Sequence, residues 1–145
     1  MRRTISILAV LLCLALLAGL SACGTAYMEV SDVMNGPMDE LAEAMGCMYA
    51  ITLDSYYYAT EQGLRTIVVY ESTPGFNGII CSEPGYALFG MVVGEPFKAR
   101  KIPKQYTYVP DQHYFYLEGA APVEAGAFSV DEYGIVKSFT VNARR

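Results

Sequence analysis

The chain opens on one apolar run and then changes its pattern. Ile5 through Leu17 are apolar apart from Ser6, whereas beyond residue 30 the apolar positions come in short, spaced groups. Met38, Leu41, Ala42 and Met45 recur at spacings of three, four and seven behind Asn35-Gly36-Pro37, with Asp39, Glu40 and Glu43 between them. That spacing predicts an amphipathic helix starting at Pro37 and ended by Gly46. Aromatic and β-branched runs follow at Tyr56–Thr60 and Leu64–Tyr70, and the turn-rich residues 72–78 lead into Ile79–Ser82. These predict three antiparallel strands, with Tyr86–Val93 as a linking strand. Pro96–Ile102 predicts a second, shorter helix cut by Pro103, and further strands are expected near Tyr106–Val109, Tyr114–Leu117, Ala127–Val130 and Ile135–Val141.

The two halves repeat one another. Asp54–Glu61 aligns with Asp111–Glu118 at an offset of 57, Gly78–Ser82 with Gly134–Ser138 at 56, and Gly36–Leu41 with Gly94–Ala99 at 58. A helix followed by a few antiparallel strands cannot bury its apolar stripe alone. The expected fold is therefore α+β: two tandem repeats of a helix plus three or four strands, about 31–90 and 91–145, sharing one antiparallel sheet with the helices packed on one face.

The leading apolar run follows Arg2 and Arg3 and gives way to Leu20-Ser21-Ala22-Cys23. A positive start, an apolar stretch shorter than a membrane-spanning helix needs, and small residues after it describe a secretory signal. The last four residues resemble the lipobox of bacterial lipoproteins. The resemblance implies removal of residues 1–22, diacylglycerol and a further acyl chain such as palmitate on Cys23, and a tether over 23–30. Two or more acyl chains anchor stably, at about 0.8 kcal/mol per buried methylene. The expected location is thus outside the cytoplasm, on the outer face of the cell membrane or on the outer membrane of a two-membrane bacterium. Gly24 stands where an Asp would signal retention at the inner membrane.

Composition changes the picture only once the signal is set aside. The chain of 145 residues is 53% hydrophobic, but residues 1–22 hold 16 of those residues, so the remainder falls to about 50%, an ordinary globular value. Cys13 leaves with the signal and Cys23 carries lipid. An oxidising compartment then makes Cys47 and Cys81 a disulfide candidate, with two buried free thiols as the alternative.

The net charge of −5 excludes a surface built to hold nucleic acid. The charge is unevenly spread: residues 24–93 hold 9 acids against Arg65 alone, whereas 94–145 hold 6 acids against 7 bases. Lys98, Arg100, Lys101 and Lys104 form a basic cluster. It faces anionic lipid or wall polymer near the anchor, or is a solvated helix face, or complements the acidic first half. Catalytic chemistry is poorly supplied. His113 is the single histidine, and Asp111 two residues before it supplies neither a nucleophile nor an orienting third group. No phosphate-cradling loop, nucleophile elbow, metal-ligand spacing or cofactor motif is present.

A tandem unit of helix, aromatic strands and a strand beginning Gly-Ile-apolar-x-Ser, behind a lipobox, resembles small bacterial lipoproteins related to the β-lactamase-inhibitor-protein fold. Gly90-Met91-Val92-Val93-Gly94-Glu95-Pro96 is similar to the joint between their two units. Used once, the unit also resembles the small lipoprotein of the outer-membrane β-barrel assembly machinery. The resemblance implies a protein-binding surface on the sheet face opposite the helices, carried here by positions around Tyr56, Tyr57, Tyr58, Tyr114, Phe115 and Tyr116, and it brings no catalytic residues. Twelve Tyr and six Phe lie beyond the signal, a supply of rigid contact area with polar tips. The expectation is a membrane-anchored, non-enzymatic protein-binding module. A carbohydrate or cell-wall binder and a structural envelope-assembly subunit are the alternatives.

Overall fold

The computed structural model describes residues 26–51, 56–59, 66–119 and 122–145, with the backbone alone at 48–51 and 56–59. Its framework is a run of antiparallel strands: β2 (Met48–Ile51), β3 (Tyr56–Ala59), β4 (Ile67–Thr73), β5 (Phe76–Cys81), β8 (Tyr106–Val109), β9 (Tyr114–Leu117), β10 (Ala125–Val130) and β11 (Val136–Arg144). They join in the order β2-β3-β4-β5-β11-β10-β9-β8. Two four-stranded meanders thus meet along their last strands, β5 and β11, paired from Phe139↔Cys81 to Arg144↔Phe76. A smaller sheet holds β1 (Met28–Glu29), β6 (Tyr86–Leu88) and β7 (Met91–Val92), with β1 parallel to β6.

The first helix forms where the apolar spacing placed it. α1 (Met38–Ala44) follows Pro37, carries Asp39 and Glu40 in its first turn, and turns Leu41 and Ala42 inward. Gly46 ends it in the left-handed region (φ 67°). Its N–H donates to Glu43 O at 2.9 Å and Cys47 N–H donates to Ala42 O at 2.9 Å. This paired closure satisfies carbonyls that the last turn leaves open.

The expected second helix does not form. The segment holds a single 3-10 turn, Ala99–Lys101. Pro103 disfavours the α region for the residue before it, and Ile102 is extended (φ −63°, ψ 125°), which leaves too few residues for an α-turn to propagate. Rings fill the space instead. Phe89 lies 5.2 Å from Phe115 and 5.4 Å from Tyr106, and Phe97 lies 5.4 Å from Phe128. The tandem helix-plus-sheet repeat is therefore corrected: the fold is α+β, mostly strands, with one short helix among the described residues. The linking strand Tyr86–Val93 is corrected too, since it folds back as β6 and β7 in the small sheet.

Alternation along the strands sets one face inward. Ile67 and Val69, Ile79 and Cys81, Phe115, Phe128, and Phe139, Val141 and Ala143 are all buried, and Leu41 and Met45 of α1 join Val30, Met34, Leu88 and Met91 over them. Val30 is fully buried and β1 belongs to the small sheet, so residues 28–30, expected in the tether, are part of the fold. Asn77 is the buried polar residue among them. Its amide donates to Met34 O and Gly36 O, each at 2.8 Å, and so pins the approach to α1 onto β5.

The expected disulfide is absent: Cys47 and Cys81 are both free thiols. Burial pushes each thiol up to about 11. The Cys47 thiol instead points at Met45 O, 3.9 Å away. No helix among the described residues is long and apolar enough to cross a membrane, and Cys23 lies outside them.

Candidate functional site

Alternation that buries one set of side chains lifts the other onto the opposite face. By register, Tyr70, Gly78, Asn142, Ala125, Tyr116 and Thr107 form one row across β4, β5, β11, β10, β9 and β8. Val68, Ile80, Thr140, Ala127, Tyr114 and Val109 form the next. No described helix or strand packs on these rows, and Ile80 is 39% exposed.

Large rings stand at the sides of this face and small residues occupy its middle. A hollow of about 240 Å³ runs between Tyr70 and Tyr114, floored by Ala125, Ala127, Thr140 and Asn142. Four strand spacings separate β4 from β9, a backbone distance of about 19 Å. Tyr70 leans inward because its cross-strand partner is Gly78: a Cβ there would sit 2.7 Å from Tyr70 Cε1 and Cε2, so only glycine admits the ring. Tyr114 and Tyr116 stack, with centroids 5.8 Å apart and planes 27° apart. At the lower edge Arg144 lies over the Phe76 ring at 5.2 Å, while Asn142 takes a hydrogen bond from Ser72 and donates to Val123 O at 3.3 Å. The floor is thereby fixed by its own contacts.

Of the six aromatic candidates, Tyr114 and Tyr116 belong to this face. Phe115 does not, and is a correction: at 0% exposure it stands in the core, 5.2 Å from both Phe89 and Tyr106. The side chains of Tyr56, Tyr57 and Tyr58 lie outside the described residues, although the backbone of Tyr57 pairs with Tyr70. Tyr70 was not among the candidates. Its signal was alternation within Ile67-Val68-Val69-Tyr70, which puts it out of phase with the buried Ile67 and Val69.

The remaining polar candidates are dispersed. Asp111 sits exposed in the 3-10 turn Pro110–Gln112, and His113 caps that turn in the left-handed region (φ 46°). His113 Nδ1 meets Tyr108 Oη at 2.9 Å and its ring lies 4.7 Å from Phe97, which occupies it in packing. Asp131 Oδ1 accepts from Tyr133 N and Ile135 N and closes a hairpin turn. Tyr106 donates to Glu124, whose other oxygen accepts from Arg144 N at 3.0 Å; burial first, and then this carboxylate, raise the phenol well above its ordinary value. Among the described residues no group of three or more His, Cys, Asp or Glu converges on a metal position. Lys98, Arg100, Lys101 and Lys104 are exposed on the loop that replaces the second helix. No protein family, no curated protein and no solved structure matches the chain.

Proposed function

We propose that this chain is a membrane-anchored, non-enzymatic binding module outside the cytoplasm, held by lipid on Cys23 and engaging a protein through its open sheet face. One observation carries the reading: the face opposite α1 is uncovered by described elements and sets Tyr70, Tyr114 and Tyr116 about a small-residue hollow. Tyrosine gives a large rigid contact with few rotors to immobilise, and a dip between such rings receives a protruding side chain. The resemblance to β-lactamase-inhibitor-protein-like lipoproteins supports the same face.

Cross-linking in intact cells, followed by mass spectrometry, tests this reading. Discrete protein partners are expected with the parent chain, and their yield falls at least tenfold with Tyr114→Ala and Tyr116→Ala together. The near-parallel Tyr114 and Tyr116 rings favour a second reading, a platform for sugar rings. Retention on purified peptidoglycan with no cross-linked protein selects it instead.

A further inference from the structure

We propose that the loop 98–104 is a membrane-facing surface that binds anionic lipid headgroups and so orients the domain on the bilayer. This rests on the anchor reading above and adds to it which side of the molecule meets lipid. Lys98, Arg100, Lys101 and Lys104 are all exposed, and no acid occurs in sequence between Glu95 and Asp111. Neither ion pair found among the described residues uses any of the four. The loop is also shaped in advance. Lys101 N–H donates to Lys98 O at 2.9 Å and Ile102 N–H to Ala99 O at 3.1 Å, with Ile102 buried beneath.

The chain enters the fold beside this loop. The Glu29 carboxylate accepts from Phe89 N at 2.8 Å and from Gly90 N at 2.7 Å, and Lys101 Nζ donates to the carbonyl of the same Gly90. One glycine therefore joins the first strand to the basic turn. Five residues carry the chain from Cys23 to Met28, a reach of at most about 18 Å. Attraction to a charged surface acts within a Debye length, about 8 Å at physiological salt, and so short a tether lets the loop settle into that range.

The test is pulsed acetylation of the full, acylated chain on vesicles, read by peptide mass spectrometry. Phosphatidylcholine alone is compared with phosphatidylcholine containing phosphatidylglycerol. Labelling of Lys98, Lys101 and Lys104 is expected to fall about fivefold on the anionic vesicles. It recovers in molar salt. The surface variant Lys98→Glu with Arg100→Glu and Lys104→Glu should remove the protection at Lys101 while leaving the circular dichroism spectrum as in the parent. Equal labelling on both vesicles, with the protein bound to each, overturns the inference and leaves the anchor standing. Protein that lacks acyl chains and ignores neutral vesicles, yet is protected on anionic ones, overturns the anchor and leaves the loop's role standing; no binding to either overturns both.

Discussion

Three consecutive aromatic residues of β9 meet opposite fates. Phe115 is sealed among Phe89, Tyr106 and Phe128, whereas Tyr114 and Tyr116 stand on the far side of the same strand with each other as ring partners. Backbone conformation and side-chain class are shared, so neither explains the difference. What differs is the opposing layer: α1, the small sheet and the loop through Phe97 cover one face, and no described element covers the other. On the covered face an aromatic ring contributes stability, and on the open face it offers contact area. The same division runs across the sheet, where Gly126 makes room for Phe115 inside and Gly78 makes room for Tyr70 outside.

Truncating the covered side should have the largest effect. Phe115→Ala removes a fully buried ring and is expected to lower stability by about 3–5 kcal/mol, read as a shift in urea midpoint at unchanged slope. A loss below about 1 kcal/mol would mean that the inner face is not the core. Gly126→Ala comes next. Its Cβ would overlap Phe115 Cζ and lie 2.5 Å from Thr140 O, an overpacking expected to cost about 1–3 kcal/mol by the same measurement.

Alkaline pH probes the covered face through its thiols. Cys47 and Cys81 are raised from 9.0 to about 11 by burial. From pH 9 towards 11 the unfolded chain releases thiol protons that the folded chain keeps, so the unfolded state binds fewer protons and stability falls as pH rises. Cys81→Ser should flatten that fall; an identical pH profile would show that the thiols do not govern it. The smallest stability effect is expected on the open face. Tyr114→Ala with Tyr116→Ala should lower stability by no more than about 1 kcal/mol, yet cut capture of the partner at least tenfold. A large loss of stability there would make this pair part of the core and erase the contrast between the faces.

Much of the framework was legible because it rests on local rules. Met38, Leu41, Ala42 and Met45 with a following glycine specify α1 through spacing and cap chemistry, and β8 and β9 fall on the predicted residues 106–109 and 114–117. β2 went unseen because Met48–Ile51 is short and carries little β-branched signal. Asn77 sat in a stretch predicted as turn, yet it is strand, since two carbonyls ahead of α1 meet its amide. The site was half legible. Aromatic density marked β9 as a binding strand, but which of its rings faces outward is set by the register of Phe115 against Gly126.

The sequence by itself determined the local grammar of this protein: the signal-like start and Cys23, the helix closed by Gly46, the aromatic strands and the uneven charge. These depend on neighbours within a few residues, where spacing, caps and composition act directly. Only the tertiary structure decided the rest. It chose the covered face, withdrew Phe115, added Tyr70, left Cys47 and Cys81 as thiols, and set the basic turn beside the point where the chain enters the fold. Each of these depends on which distant segment lies across the sheet, a contact whose free energy no local window contains.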